Sequence, residues 1–102
     1  MLDDELNVFQ KAILMRFHKL CNFSTKCHVP EEAIFKGIRM RRMDKYSRRE
    51  LKKAFRRLLS KGYIGVKKAG RSRDTYFLTE KGIDAIKEIL RELTDRSLEK
   101  YK

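Results

Sequence analysis

The chain has 102 residues, of which 26 are Lys or Arg and 14 are Asp or Glu, so its formal net charge is +12. An apolar share of 41% is enough for one modest hydrophobic core, which predicts a single domain over residues 1–102 and argues against a largely disordered chain. No stretch reaches the roughly 18 apolar residues of a membrane span, and the acidic start (Asp3, Asp4, Glu5) lacks the basic residues of a signal peptide. We therefore expect a cytoplasmic protein without a membrane partner.

The excess positive charge is concentrated in the middle of the chain. Nine of the twelve excess charges lie in residues 47–79, whereas residues 80–102 contain six basic and six acidic side chains. A surface that is charged only for solubility mixes both signs throughout. The middle segment therefore predicts a polyanionic partner, and nucleic acid is the first candidate.

Residues 4–21 show helical periodicity. Asp4 is the predicted N-cap, and Glu5 adds a favourable acidic charge to the first turn. Apolar residues follow helical spacing on two adjacent stripes, which predicts a helix that is buried on two sides. These stripes are Leu6, Phe9, Ile13, Phe17 and Leu20 on one face, and Val8, Ala12 and Met15 beside it.

A connector and a short helix follow. Residues 22–29 contain turn-forming side chains, and Pro30 with Glu31 and Glu32 after it is typical of a helix start. Gly37 favours the end of this helix, which we place at residues 31–37. The next segment, residues 39–46, is a basic connector that contains Arg41, Arg42, Lys45 and Tyr46.

Residues 47–61 form the clearest predicted helix. Ser47 and Glu50 have the spacing of a capping box, and Gly62 is suited to end the helix. The apolar residues follow the i, i+3, i+4, i+7, i+8 pattern of one buried face: Leu51, Ala54, Phe55, Leu58 and Leu59. The opposite face is cationic, with Arg49, Lys53, Arg56 and Ser60 at its centre and Lys52 and Arg57 on its flanks.

The last third of the chain predicts a hairpin and a final helix. Segments 63–68 and 74–79 are rich in residues that favour strands, and a small, basic loop joins them. Thr79 is the predicted cap of a helix over residues 80–99, whose apolar stripe is Ile83, Ile86, Leu90 and Leu93. The fold class is therefore mainly α with a small β-hairpin, that is, α+β.

Four potential metal ligands lie around the first connector: His18, Cys21, Cys27 and His28. A tetrahedral zinc site, a Cys21–Cys27 disulfide and a plain core role for Cys21 are all compatible with these residues. Because the spacing follows no established zinc pattern, we favour the core role and expect neither a metal nor another cofactor. The sequence also contains no arrangement of a nucleophile with a base, so we do not expect an enzyme.

Two segments resemble a known family. They are Leu59-Ser-Lys-Gly-Tyr-Ile64, at the end of the cationic helix, and Leu78-Thr-Glu-Lys-Gly82, where the hairpin runs into the last helix. Together with the order of elements they resemble the winged helix-turn-helix family, and look most similar to small archaeal and bacterial transcription regulators of the MarR and PadR kind. The resemblance covers roughly residues 4–93. It implies a recognition helix at 47–61 and a wing at 63–79.

The cationic helix and the hairpin loop are the predicted binding site for double-stranded DNA. A helix fits the major groove, where Arg49, Lys53 and Arg56 can reach base edges. The loop, at residues 69–74, is suited to the backbone or the minor groove. The complete set of predicted DNA-binding residues is Arg41, Arg42, Lys45, Tyr46, Ser47, Arg48, Arg49, Lys52, Lys53, Arg56, Arg57, Lys68, Arg71 and Arg73.

Several alternatives remain open from the residues alone. A winged helix that binds RNA or the ribosome explains the charge equally well. A plain solvated face or a protein-interaction module explains it less well, since Glu50 is the single acid among six bases in residues 48–57.

We predict a nucleoid-associated transcription regulator that forms a homodimer through its first and last helices. The alternative is that the last helix closes the core of a monomer. Stacking on a base is an alternative for Tyr46, whereas Tyr63 and Tyr76 are predicted to pack within the sheet.

Overall fold

The computed structural model describes residues 5–38, 44–68, 70–71 and 73–99, with side chains up to residue 94. Within these residues the chain forms four helices and a small three-stranded antiparallel sheet, which confirms the predicted α+β class. In chain order the elements are α1 (Val8–Cys21), β1 (Val29–Pro30), α2 (Glu31–Lys36), α3 (Lys45–Ser60), β2 (Ile64–Lys67), β3 (Thr75–Leu78) and α4 (Glu80–Glu99).

The first helix begins later than predicted. Residues 5–7 are not helical, and Asn7 is the N-cap of α1. The Asn7 side chain accepts the backbone N–H of Gln10, and the Gln10 side chain accepts the backbone N–H of Asn7, both at 2.8 Å. This reciprocal capping box satisfies two N–H groups at once, and it explains why Gln10 is polar yet buried. The prediction of a helix from residue 4 was therefore wrong; its proposed cap, Asp4, lies outside the described residues.

The fully buried side of α1 is centred between Ile13 and Leu14. Of the second predicted stripe, Val8 is 60% exposed, whereas Ala12 and Met15 are partly buried and pack against the core. The predicted main stripe is confirmed at Ile13 and Phe17, but it missed Leu14 and the polar Gln10, which interrupts the apolar pattern of the buried side. The buried residues of α1 are Gln10, Ile13, Leu14, Phe17 and Cys21.

A short strand lies where the sequence predicted a connector. Val29 and Pro30 form β1, which pairs with β3 through Val29↔Tyr76 and Pro30↔Thr75. A two-residue strand has no periodicity, so the sequence carries no signal for it. The helix α2 begins at Glu31, close to the prediction, and Gly37 follows its last residue as the C-cap.

The start of α3 is also corrected. The predicted cap was Ser47, but Asp44 is the N-cap, and its Oδ1 accepts the backbone N–H of Ser47 at 2.9 Å. This hydrogen bond lowers the pKa of Asp44, because it favours the charged carboxylate. The predicted partner in the capping box, Glu50, instead lies beside Lys53, at 3.7 Å from Oε1 to Nζ. The helix consequently begins two residues earlier than predicted, with Lys45 and Tyr46 in its first turn.

The inner face of α3 forms the centre of the core, as its periodicity predicted. Leu51, Ala54 and Leu58 are buried, and Leu58 has no exposed surface. The buried ring of Phe55 lies 5.4 Å from the ring of Phe35 on α2 and 4.8 Å from that of Tyr76 on β3. One helix face therefore joins α2, the sheet and the neighbouring helices. The other buried residues of the core cluster are Ile13, Leu14, Phe17, Ile34, Ile38, Tyr63, Ile64, Leu78, Ile83, Ile86 and Ile89.

The end of α3 is a Schellman motif built on Gly62. Gly62 has a φ of +82°, which L side chains rarely adopt. Its N–H bonds the carbonyl of Leu59, and the N–H of Tyr63 bonds the carbonyl of Leu58. The chain then enters β2, which forms the predicted hairpin with β3 in a register from Ile64↔Leu78 to Lys67↔Thr75.

The start of α4 packs directly onto this turn. Thr79 caps α4 as predicted, since its Oγ1 accepts the backbone N–H of Gly82 at 3.2 Å. The same oxygen lies 2.5 Å from the carbonyl oxygen of Gly62 and 3.0 Å from that of Tyr63. A Cβ on Gly82 would lie 2.1 Å from the Tyr63 carbonyl oxygen, so only glycine permits this approach. The two segments that carry the family resemblance therefore contact each other in space.

Candidate nucleic-acid interface

The outward side of α3 presents a continuous set of basic side chains, which we call the cationic face. All of them are exposed, and so is Ser60 at the far end of the helix. Apart from Arg48, which lies beside the buried Leu51 and Phe55 at spacings of three and seven, they lie opposite the buried residues of the same helix, as predicted. The cationic face consists of Arg48, Arg49, Lys52, Lys53, Arg56 and Arg57.

The cationic face is poorly neutralised by the protein itself. Its Lys53 Nζ lies 3.7 Å from the Glu50 carboxylate, and within the described residues the other five cations have no acidic partner. Exposed like charges raise a local positive potential that attracts anions and steers their approach. The geometry is therefore suited to an extended polyanion.

The two flanks of the cationic face meet different elements. Lys52 lines an open cleft of about 530 Å³, which we call the hairpin cleft. Arg57 lies on the other flank, in a small depression next to Asn7 at the start of α1. The hairpin cleft places Lys52 and Arg73 on the same side of the molecule, so the helix and the hairpin loop face a common space. Its lining residues are Pro30, Glu31, Glu32, Phe35, Lys52, Arg73, Asp74 and Tyr76.

The basic residues of the hairpin are exposed but differ in their partners. Lys68 Nζ lies 3.1 Å from the Asp74 carboxylate, and Arg73 forms an ion pair with Glu32 on α2. Arg71, at the turn next to Gly70, has no ionic partner among the residues that the structure describes. The hairpin thus offers fewer uncompensated cations than α3.

The predicted residues that precede the cationic face lie in different surroundings. Lys45 is exposed, and Tyr46 is 63% exposed, with its ring edge-on to Phe9 at 6.4 Å between centroids. Ser47 is buried, so its side chain is not presented on the outward surface of α3. Arg41 and Arg42 lie outside the described residues.

Two other tyrosines pack within the fold, as predicted. Tyr63 is buried, and the Nζ of Lys81 lies 4.5 Å from its ring centroid. Tyr76 is half-buried against Phe55. Burial raises the pKa of the Tyr76 hydroxyl, and the nearby carboxylate of Glu31 adds to this shift.

The four potential metal ligands each have another partner in the fold. Cys21 and Cys27 form a disulfide, which corrects the preferred interpretation of Cys21 as a plain core residue. The ring of His18 lies against Phe23 at 4.7 Å, and that of His28 lies against Phe77 at 5.1 Å. Among the described residues, no three His, Cys, Asp or Glu side chains are grouped so that they could hold a metal ion.

No protein-family model, curated protein or solved structure matches this chain. In the part of the chain that the structure describes, no helix has the length and apolarity to cross a membrane.

Sequence reasoning missed Glu32 as a residue of this surface. Its position in the first turn of α2 indicated only a favourable helix start. The contact with Arg73 spans 41 residues, and no local pattern predicts such a contact. The sole sequence signal was the positive charge of the hairpin loop, which favours an acidic or anionic neighbour without specifying which one.

Proposed function

We propose that this chain is a winged helix-turn-helix protein that binds double-stranded DNA and regulates transcription. In this proposal α3 enters the major groove and the hairpin acts as the wing. The observation that carries the proposal is the cationic face, whose side chains are exposed and, apart from Lys53, without acidic partners in the described residues. The order of helices and hairpin is also the one that the family resemblance implies.

The spacing along α3 assigns different roles to its cations. Arg49, Lys53 and Arg56 follow one another at i, i+4 and i+7, so they form a single row along the crest of the helix. Side chains in such a row can reach base edges in the major groove, where arginine pairs with guanine. Lys52 and Arg57 diverge from this row to either side, towards the positions of the two phosphate backbones.

The hairpin supports the same orientation. The hairpin cleft is lined by residues of α2, α3 and the hairpin, so a duplex on the outward side of α3 would pass close to the exposed Arg73. Tyr46, at the start of α3, is exposed beside the cations Lys45 and Arg48. A partly exposed aromatic ring among cations is suited to the sugar and phosphate of a backbone.

The homodimer stays a prediction. Ile83, Ile86 and Ile89 of α4 pack in the core of the monomer, which leaves Leu93, at 51% exposure, as the outward part of its apolar stripe. Lys11 of α1 and Glu92 of α4 lie 3.6 Å apart, so the two helices already contact each other within one chain.

The direct test reverses the charges of the three side chains in the outward row of α3. We expect the triple variant Arg49→Glu, Lys53→Glu, Arg56→Glu to lose more than about 100-fold in affinity for a short random-sequence DNA duplex, measured by fluorescence anisotropy. The matched control is Lys19→Glu, Lys26→Glu, Lys87→Glu, which changes the net charge equally at exposed positions on α1, the first connector and α4. Circular dichroism checks that both variants fold.

Two outcomes would contradict the proposal. Equal losses in the test and control variants would mean that only net charge matters, and unchanged binding in the test variant would exclude α3 from the interface. The same titrations with a structured RNA, at the same salt concentration, separate the RNA alternative, because it predicts tighter binding to RNA and the same dependence on the crest.

A further inference from the structure

A surface ion pair ties the hairpin loop to the second helix. The guanidinium of Arg73 pairs with the carboxylate of Glu32 in the first turn of α2. The two side chains are 73% and 68% exposed, so this contact is not a by-product of burial. The pair joins the hairpin loop to α2, the helix that comes before the cationic face in the chain.

The cations on the two sides of the hairpin cleft differ in their availability. Lys52, on the α3 side, has no acidic partner among the described residues, whereas Arg73, on the hairpin side, is paired with Glu32. A phosphate that approaches both cations would also meet this carboxylate. Carboxylate and phosphate use the same forked set of guanidinium N–H donors, so the two anions compete for Arg73.

We propose that Glu32 is an internal competitor for Arg73, which holds the hairpin loop against α2 until a nucleic-acid phosphate displaces the carboxylate. This inference rests on the proposed function and deepens it, since it names a residue that limits binding. A polyanion that is not already held by the cationic face gains less binding free energy from the hairpin, because it must break the Arg73–Glu32 pair to reach Arg73. A well-placed duplex, already held by the cationic face, supplies its phosphate at high local concentration.

The strength of the pair fits this role. An exposed ion pair stabilises the folded protein only slightly and is screened by salt, so a phosphate can displace it. The penalty for binding is correspondingly modest. Removal of the Glu32 charge should raise affinity for random-sequence duplex DNA roughly threefold at low salt, and the gain should shrink as the salt concentration rises.

The test compares two neighbouring glutamates. Glu32→Gln removes the pair, and Glu31→Gln removes the same charge from the same turn and the same cleft, where no ion pair with Arg73 is present. We expect Glu32→Gln to bind a random-sequence DNA duplex more tightly than Glu31→Gln does. In an Arg73→Gln background, the two variants should become equal, because the competition no longer exists.

Three results overturn the inference. They are equal gains for the two glutamate variants, a gain for Glu32→Gln that persists in the Arg73→Gln background, or weaker binding by Glu32→Gln than by the wild type. The last of these would mean that the pair positions the hairpin for binding rather than competing with the phosphate. In all three cases DNA still binds, so the proposed function stands.

A measurement without nucleic acid tests the pair itself. The Nη–H signals of Arg73 in low-temperature nuclear magnetic resonance should exchange with water more slowly in the wild type and in Glu31→Gln than in Glu32→Gln, because the Glu32 carboxylate accepts a hydrogen bond from Nη1. Equal exchange in all three proteins would overturn the inference on structural grounds alone. Absence of DNA and RNA binding in every variant would overturn the proposed function and this inference with it.

Discussion

The helices α3 and α4 are both long, amphipathic surface helices, but they use their cations differently. On α4, Lys81 donates to the carbonyl of Lys61 at 2.9 Å, Lys87 lies 5.7 Å from the ring centroid of Phe23, and Arg91 lies 3.1 Å from the carboxylate of Glu88. On α3, one cation of the cationic face, Lys53, has an acidic partner within the described residues. These three cations of α4 thus contact other groups of the chain, whereas the cations of the cationic face other than Lys53 have no acidic partner within the described residues.

The surface charges of the two helices contribute little to the stability of the fold. Exposed ion pairs such as Arg91 with Glu88 contribute little to folding, so α4 does not depend on them. Both helices are held by their buried sides, where Leu58 of α3 and Ile86 of α4 have no exposed surface. We therefore expect substitutions of the outward cations of α3 to change binding without loss of the fold.

The largest effect on stability is expected at the inner side of α3. Leu58→Ala removes a fully buried side chain and should lower the free energy of unfolding by about 2–5 kcal/mol, since it loses apolar burial and leaves a cavity. Leu93→Ala on α4, at a position 51% exposed, should change it by about 0.5 kcal/mol or less. Urea denaturation measures both. A large loss at Leu93 would indicate that the outer part of α4 is buried, as in a dimer.

The caps of the two helices should respond differently to acid. Folding lowers the pKa of Asp44 below its ordinary value of 3.8, so its contribution to stability is present above that value and is lost as the pH falls through the lowered pKa. We expect Asp44→Asn, which keeps a capping side chain, to lose this part of the acid dependence. Thr79→Ala should cost about 1 kcal/mol at every pH, because a hydroxyl does not titrate in this range.

Thermal unfolding between about pH 2 and pH 7 measures this difference, since the ordinary pKa of an Asp lies within that window. The caps would be wrongly assigned if Asp44→Asn kept the full acid dependence of the wild type, or if the effect of Thr79→Ala itself varied with pH.

The smallest expected effect is on the salt dependence of binding. Lys52→Gln on the flank of the cationic face should reduce the slope of log K against log salt by about 1, because one fewer phosphate is neutralised. Lys87→Gln on α4 removes the same charge and should leave the slope unchanged. Equal slopes for the two variants would place Lys52 outside the DNA contact.

Periodic features were predictable from the sequence. The five apolar residues from Leu51 to Leu59 follow a helical repeat, so their spacing alone places the buried side of α3 and the opposite cationic side. The hairpin and the Thr79 cap of α4 were likewise predicted, because strand-forming residues around a small loop and a Thr before Glu80 are local signals.

The helix caps were predicted less well, because more than one nearby residue can cap each helix. Asp4 and Asn7 are both good caps, as are Asp44 and Ser47, and in each case another residue than the expected one caps the helix. Asn7 prevails because Gln10 completes a reciprocal capping box, and Asp44 caps α3 because its carboxylate accepts the backbone N–H of Ser47. The disulfide between Cys21 and Cys27 was one of three open interpretations.

The sequence alone therefore determined the α+β class, the cationic crest of α3 and the charge of the hairpin, because each follows from spacing along one segment. Tertiary structure decided which cations keep an acidic partner: Arg73 meets Glu32 only because β1 pairs with β3 and brings α2 beside the hairpin. Tertiary structure also placed the Schellman turn at Gly62 against Thr79 and Gly82, where a Cβ would collide with the Tyr63 carbonyl. Such contacts depend on distances between segments far apart in the chain, and no repeat along the sequence encodes them.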